Sequence, residues 1–252
     1  MTNYDFPTEV ITLPSEGKCY PSDNPLSSGQ IEIKYMTARE EEILTSQNLI
    51  KKGVVLDKLF EAIIVDKGIN PDDIILGDKN AIMLATRLLG YGAEYHVEMI
   101  DSANNSHTVI VDLSKVQTKD IDMSILNGNN IYEFVTPFGK NKIEFKLLTH
   151  GDEKSVDTDV KAVQKFNKSG TSSELTTRYR YMIKSVDGET DTKNIVNFIN
   201  NKFLARDTKK FREYVKKIQP DMNMEFTYTD PESGEEEVRS IPMGVGFFWP
   251  SE

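Results

Sequence analysis

The stretch GAEYHVEMIDSANNSHTVIVDL, residues 92–113, decides the reading of the fold. Tyr95, Val97 and Met99 alternate with His96 and Glu98, and Val109, Val111 and Leu113 alternate with Ile110 and Asp112. Period-two alternation on both sides of the polar run Asp101 to His107 predicts a β-hairpin. The residues before it follow a different rule. Thr37 with Glu40 three residues later is a capping box, and Glu41-Glu42 set negative charge at the positive end of a helix. The stripe Ile43, Leu44, Gln47, Ile50 then runs to Lys51-Lys52 and a stop at Gly53. Further helices are expected over Val54 to Asp66, from Asn70-Pro71-Asp72-Asp73, and from Asp78 through Leu89.

Downstream the same alternation of block types repeats. A second hairpin is expected at Ile131–Val135 and Lys142–Leu148, turning through Pro137-Phe138-Gly139. Helical spacing resumes from Asp152 to Phe166. A second capping box, Thr171 with Glu174, precedes a helix over Leu175–Val186. Helices follow at Thr192–Asn201 and Asp207–Ile218, with Pro220 ending them. A last hairpin, Met224–Tyr228 with Glu237–Ile241, leads to the apolar tail Val245, Phe247, Phe248, Trp249, Pro250.

The fold class is therefore α+β, short helical blocks alternating with small antiparallel hairpins. Five stretches are expected to fold as one cooperative unit: an extended Pro/Gly/Ser-rich arm (1–30), a helical block (31–92), β-hairpins (93–149), a basic helical block (152–219), and a C-terminal hairpin with its tail (222–252). Ile31 and Ile33 read as a short strand opening the second of these. The arm lacks periodicity but carries Phe6, Val10, Ile11, Leu13, Tyr20 and Leu26, so it should pack on its own domain or on a partner. The first and last hairpins align at an offset of 129, matching Val97 with Phe226, Asp101 with Asp230 and Val109 with Val238. Identity is slight, but the parallel suggests a duplication whose hairpins lie side by side.

Composition narrows the function. The chain has 252 residues, enough for a core that needs no disulfide or metal, and it carries 30 basic against 40 acidic side chains, net −10. That balance argues against general coating of nucleic acid. Between Lys154 and Gln219, however, 15 basic and 8 acidic residues leave a local +7, against −17 for the remainder. Solvated helix faces explain such a block most simply; an acidic partner or a phosphate backbone is the sharper reading. No run of about 18–20 apolar residues is present and no basic-then-apolar leader follows Met1, so membrane anchoring and secretion are not expected. Cys19 is the single cysteine, which excludes an internal disulfide and multi-cysteine metal clusters.

The chain shows no nucleophile elbow, Walker loop, dinucleotide fingerprint or metalloprotease helix. Gly90-Tyr91-Gly92 reads as a helix end rather than a phosphate loop. Glu40 to Glu42 offer paired acids for a hydrolase, but their place in a first helical turn already explains them as cap and dipole complement. His96 and His107 sit on facing strands, His150 lies elsewhere, and two imidazoles without a third ligand make a poor metal site. Cys19 has a nearby cation, Lys18, but no base, and reads as incidental. Arg206, Lys209, Lys210, Arg212 and Lys216-Lys217 share one helix with Phe211, Tyr214, Val215 and Ile218, a charged face opposite an apolar one. Three consecutive large apolar residues cannot all face one core from a strand, so at least one of Phe247, Phe248 and Trp249 is expected on the arm or a partner. With Arg206 these are the candidate partner-binding residues. No catalytic, cofactor-binding or metal-ligating residue is assigned.

Several stretches together resemble one family. Leu13-Pro14-Ser15-Glu16-Gly17-Lys18 with Tyr20-Pro21, Tyr35-Met36-Thr37-Ala38-Arg39-Glu40-Glu41 and Ile50-Lys51-Lys52-Gly53 look like the baseplate hub and hub-assembly proteins of T4-like contractile-tailed bacteriophages. Tyr181-Met182-Ile183, Ser185-Val186-Asp187-Gly188, Ala205-Arg206-Asp207 and Phe247-Phe248-Trp249-Pro250 continue the pattern, in order, from about residue 10 to residue 250. The resemblance implies a late, non-enzymatic role in viral tail assembly, as hub subunit or hub assembly factor. Its partners would be other hub proteins, with no membrane and no small-molecule substrate. Its place would be the host cytoplasm and, for a subunit, the virion baseplate. Some relatives carry Cys-x-x-Cys knuckles in the two matching hairpins, together a four-cysteine zinc ribbon. Here Asp101 and Asn104, and Asp230 and Ser233, stand at those positions, a set without soft ligands, so a metal-free, zinc-ribbon-like hairpin pair is expected. The alternative function is a nucleic-acid-binding accessory protein using the basic helices at 154–219.

Overall fold

Pairing of the backbone groups organises the chain into four small antiparallel sheets joined by eight α-helices among the described residues. The computed structural model describes residues 7–166 and 173–249. Strand β1 (Thr8–Thr12) pairs with β2 (Gln30–Lys34) in the register Val10 to Glu32. The arm is therefore half of a hairpin, and the expected boundary at residue 30 cuts through its sheet. Between the two strands the chain doubles back on itself. Gly17, at φ +77°, lies so close to Ser27 that a Cβ would sit 2.3 Å from its carbonyl oxygen. Only glycine fits there.

Helices α1 (Ala38–Thr45), α2 (Gln47–Lys52) and α3 (Val55–Ile63) follow. The capping box is as expected: Thr37 Oγ1 accepts from the Arg39 N–H, and the Thr37 N–H donates to Glu40 Oε2 at 2.9 Å. Lys34 pairs with the other carboxylate oxygen at 2.8 Å. The single helix expected up to Gly53 is broken at Ser46, whose extended backbone closes α1 and opens α2. Asn70-Pro71-Asp72-Asp73 makes only a 3₁₀ turn, capped by Asn70, and helix α4 (Leu76–Tyr91) starts two residues after the turn's end at Ile74. Gly77 in its first turn is pressed against residue 220, where a Cβ would fall 1.7 Å from the Pro220 carbonyl oxygen.

The two expected hairpins form as β3 (Glu94–Ile100) with β4 (Ser106–Asp112) and β5 (Tyr132–Val135) with β6 (Lys142–Phe145). Helices α5 (His150–Phe166) and α6 (Glu174–Met182) come next. The helix expected to reach Val186 stops at Met182, and residues Ile183–Val186 become β7, which adds to β6 as the third strand of that sheet. The alternate residues Ile183 and Ser185 are both buried, a strand's period that a helical reading absorbs without contradiction. Of the second capping box, Thr171 lies outside the described residues; the residue at the N-cap is Ser173. Helices α7 (Thr192–Asn201) and α8 (Ala205–Ile218) and the hairpin of β8 (Glu225–Thr229) with β9 (Glu236–Ser240) complete the chain.

One contiguous cluster of buried apolar side chains runs from Leu13 to Phe248 through every block. Its densest part is aromatic. Phe145 of β6, Phe211 of α8, Tyr179 of α6 and Phe203 meet with ring centroids 4.9–5.8 Å apart, mostly edge-on, which fixes the three-stranded sheet against the basic helices. No helix among the described residues is long and apolar enough to cross a membrane.

Candidate interaction surfaces and the hairpin junction

The turns of the β3–β4 and β8–β9 hairpins meet. The Ser102 N–H donates to Asp230 Oδ2 at 2.8 Å, and Ser102 Oγ reaches Asp230 Oδ1 at 3.3 Å. Each turn is built around its aspartate. Asp101 accepts from the Asn105 N–H at 2.7 Å and contacts His107 Nε2 at 2.6 Å. Asp230 accepts from the N–H groups of Glu232 and Ser233 at 2.8 and 3.0 Å. Each turn has one left-handed residue, Asn104 three places after Asp101 and Gly234 four places after Asp230, so the two turns differ by one residue there. The Asn105 N–H, with His107 and the Asn105 side chain, holds the Asp101 carboxyl down at about 2. Bonds from the N–H groups of Ser233 and Glu232, then of Ser102, lower Asp230 in the same direction. The two turns are thus brought together, Ser102 of one meeting Asp230 of the other, with carboxylates collecting the amide hydrogens of each turn. His107 is absorbed in this junction, while His96, across from Ile110, is not part of it.

Arg206 is exposed and lies over the ring of Phe138, 4.9 Å from its centroid. The next residue explains the placement. Asp207 is buried and accepts from the N–H groups of Phe138 and Gly139, both at 2.9 Å, pinning the Pro137-Phe138-Gly139 turn to the start of α8. Phe138 is half exposed, as is Leu204 just before α8, so a cation and two apolar side chains share this end of the helix. The opposite side of α8 faces inward through Phe211 and Ile218, while Lys209, Lys210, Arg212, Lys216 and Lys217 stay exposed.

The tail corrects the sequence-based expectation. Phe247 and Phe248 are 1% and 0% exposed, buried in the core rather than offered to a partner. A 3₁₀ turn over Val245–Phe248 escapes the two-sided geometry of a strand and turns both rings inward, Phe247 packing on Tyr95 at 5.2 Å. Trp249 is half buried against the same core. Of the four candidate residues, Arg206 alone is fully at the surface.

Two polar clusters escaped the sequence reading because their members are far apart in the chain. Asp78, wholly buried in α4, accepts from the Ser15 N–H (2.9 Å), Ser15 Oγ (2.6 Å) and Tyr20 Oη (2.7 Å), and Tyr20 Oη itself accepts from the Ile75 N–H. Burial pushes the Asp78 carboxyl upward, against the pull of Ser15 and Tyr20. The Leu13–Tyr20 motif is therefore the device that docks the arm. The second cluster joins Asp57, Asp72 and His150, whose ligand atoms lie within 4.8 Å of one another. Lys154 places its ammonium 3.2 Å from Asp57 and 2.7 Å from Asp72, so these carboxylates already hold a cation of the chain's own. Burial, then the Lys79 charge, lowers the His150 pKa, leaving a neutral ring against Phe60. A metal here would have to displace an ammonium, which is not how a built site is arranged. Glu40 is likewise occupied as a cap. Burial opposes its ionisation, but Lys34 and Thr37 outweigh it and bring it to about 2.

No family model matches the chain, and neither does any curated protein or solved structure.

Proposed function

We propose that the chain is a baseplate hub protein of a contractile tail, a subunit or an assembly factor, acting by binding other hub proteins. The observation that carries this reading is the segregation of charge onto distinct structural parts. Residues 94–112 and 225–240, the two joined hairpins, hold ten acidic side chains against one arginine, whereas residues 154–219, largely helical, carry +7. A molecule with opposite charges on separate parts is suited to docking with a defined orientation. The specific assignment rests on the ordered series of short motifs that resembles hub proteins. Arg206, stacked on exposed Phe138, is the contact we assign on the basic side.

Sedimentation tests the proposal. Expressed together with contractile-tail hub proteins, the chain is expected to travel with partial hubs. Its peptides in purified particles would identify a subunit, and their absence from particles but presence in partial hubs an assembly factor. Sedimentation alone under both conditions would refute the reading. Retention on DNA that weakens steeply with salt would move the assignment to the nucleic-acid alternative.

A further inference from the structure

Helices α6 and α8 touch at one level and leave a gap beside it. Tyr179 meets Phe211 with ring centroids 5.7 Å apart, and Arg212 Nη1 donates to Tyr179 Oη at 2.8 Å. Beside this contact lies a cleft of about 300 Å³. Leu175, Tyr179 and Met182 border it from α6, and Phe211 and Val215 from α8, at helical spacings of three and four that put each set on one face. Met182 and Phe211 are buried, Val215 is half buried, and Leu175 is 45% exposed, so the cleft has an apolar floor and an open lip.

The charges around it are uneven. Four cations line the cleft against one carboxylate, Asp221. Three of the four have partners within this chain. Lys119 lies 3.5 Å from Asp221, Arg178 is 3.2 Å from Glu174 and 3.7 Å from Glu153, and Lys216 is 3.6 Å from Glu225. Arg212 differs: it makes no ion pair among the described residues, and the neighbouring Glu213 is taken by Lys210 at 2.8 Å. The buried Tyr179 uses its hydroxyl oxygen to accept from Arg212, which leaves the hydroxyl hydrogen to donate, and no acceptor for it stands among the described residues. A guanidinium and a phenol hydrogen therefore border one apolar cleft, and a carboxylate satisfies both. The size of the cleft limits what carries that carboxylate. Roughly 300 Å³ is the lower end of sites that enclose a small molecule, and the exposed Leu175, Arg212 and Lys216 leave this one open. It takes one large side chain. A phosphate backbone would meet Arg212 and leave the apolar floor unfilled.

We propose that the cleft between α6 and α8 receives an apolar side chain of a partner protein, leucine or phenylalanine in size, from a segment that sets a carboxylate beside it on Arg212 and Tyr179. This rests on the reading that the chain binds proteins and not on the partner's belonging to a tail, so an empty cleft and a failed sedimentation test are separate results. The test uses the full chain and a short peptide with one phenylalanine followed by glutamate in a glycine–serine frame, read by NMR of the methyl groups of Leu175, Met182 and Val215. Those methyls are expected to shift together at millimolar peptide. Peptides with glutamine for the glutamate, or alanine for the phenylalanine, are expected to bind about tenfold more weakly. Arg212→Gln, an exposed change, is expected to weaken the glutamate peptide about tenfold and to leave the glutamine peptide unchanged. Tyr179→Phe keeps the ring packing and is expected to cost about threefold through the lost hydroxyl. Lys209→Gln, the same change of charge on the same helix outside the cleft, should alter binding less than about twofold. Absence of methyl shifts, equal binding of the glutamine peptide, or an equal loss from Lys209→Gln would overturn the proposal. So would self-association of the chain through α6 and α8.

Discussion

Asp78 shows how much one buried side chain organises here. It holds the arm through three hydrogen bonds from Ser15 and Tyr20 and has no cation beside it among the bonds it makes. Replacing it with alanine strands a buried N–H and two hydroxyls, so Asp78→Ala is expected to cost about 2–4 kcal/mol in denaturant unfolding. Asparagine should recover only part of that loss, because its amide hydrogens oppose the same donors. Cys19 lies in the docked motif, buried against Tyr132 at 3.5 Å. Burial pushes its thiol up to about 12 from 9.0, which by itself lowers the thiolate fraction roughly 10³-fold. Cys19 is expected to resist a thiol reagent at pH 8 in the native chain and to react fully once denatured. Rapid native labelling would mean that the arm lifts off. Neither role was legible in the sequence. The Leu13–Tyr20 stretch is conspicuous, but its partner Asp78 is about sixty residues away and looks like an ordinary first-turn acid.

At the scale of elements, caps and turns follow from their neighbours more faithfully than helix spans do: the helix expected up to Gly53 breaks at Ser46, and Asn70-Pro71-Asp72-Asp73 makes only a 3₁₀ turn. The capping box at Thr37 and the stop at Gly53 depend on neighbours within four residues and both form; the hairpins, whose strands pair across up to 18 residues, form around their own short turns. Strand β7 depends on the free edge of β6, forty residues earlier, and nothing within Ile183–Val186 announces that edge. The repeat offset carries long-range information that periodicity lacks: the two hairpins do meet, through Ser102 and Asp230, but as separate two-stranded sheets rather than side by side in one. The junction also makes a pH prediction. Asp101 and Asp230 are held below the ordinary carboxylate value, so the stability they lend is complete above about pH 5 and lost as the pH falls from about 4 toward 2. Hydrogen exchange should show the amides of Ser102, Asn105, Glu232 and Ser233 losing protection over that interval before the aromatic core does. Protection unchanged at pH 2.5 would refute it.

For the whole molecule, the decisive fact is that one core threads every block. Phe248 is buried near the end of the chain and belongs to the same cluster as Leu13 near its beginning. Phe248→Ala is therefore expected to cost about 3–5 kcal/mol and to shift a single unfolding transition seen alike by Trp249 fluorescence and far-ultraviolet dichroism. Two separated transitions would show that the helical blocks fold independently.

The contact of Gly77 with Pro220 adds a temporal constraint. A ribosome making about 5–20 residues per second needs roughly 7–30 s to pass from one to the other. Throughout that interval the first turn of α4 lacks the segment that covers it, and the rings at 247 and 248 are not yet synthesised. The core thus stays incomplete until residues 247 and 248 have emerged, and its closure waits on that stretch rather than on the order in which the earlier parts appear.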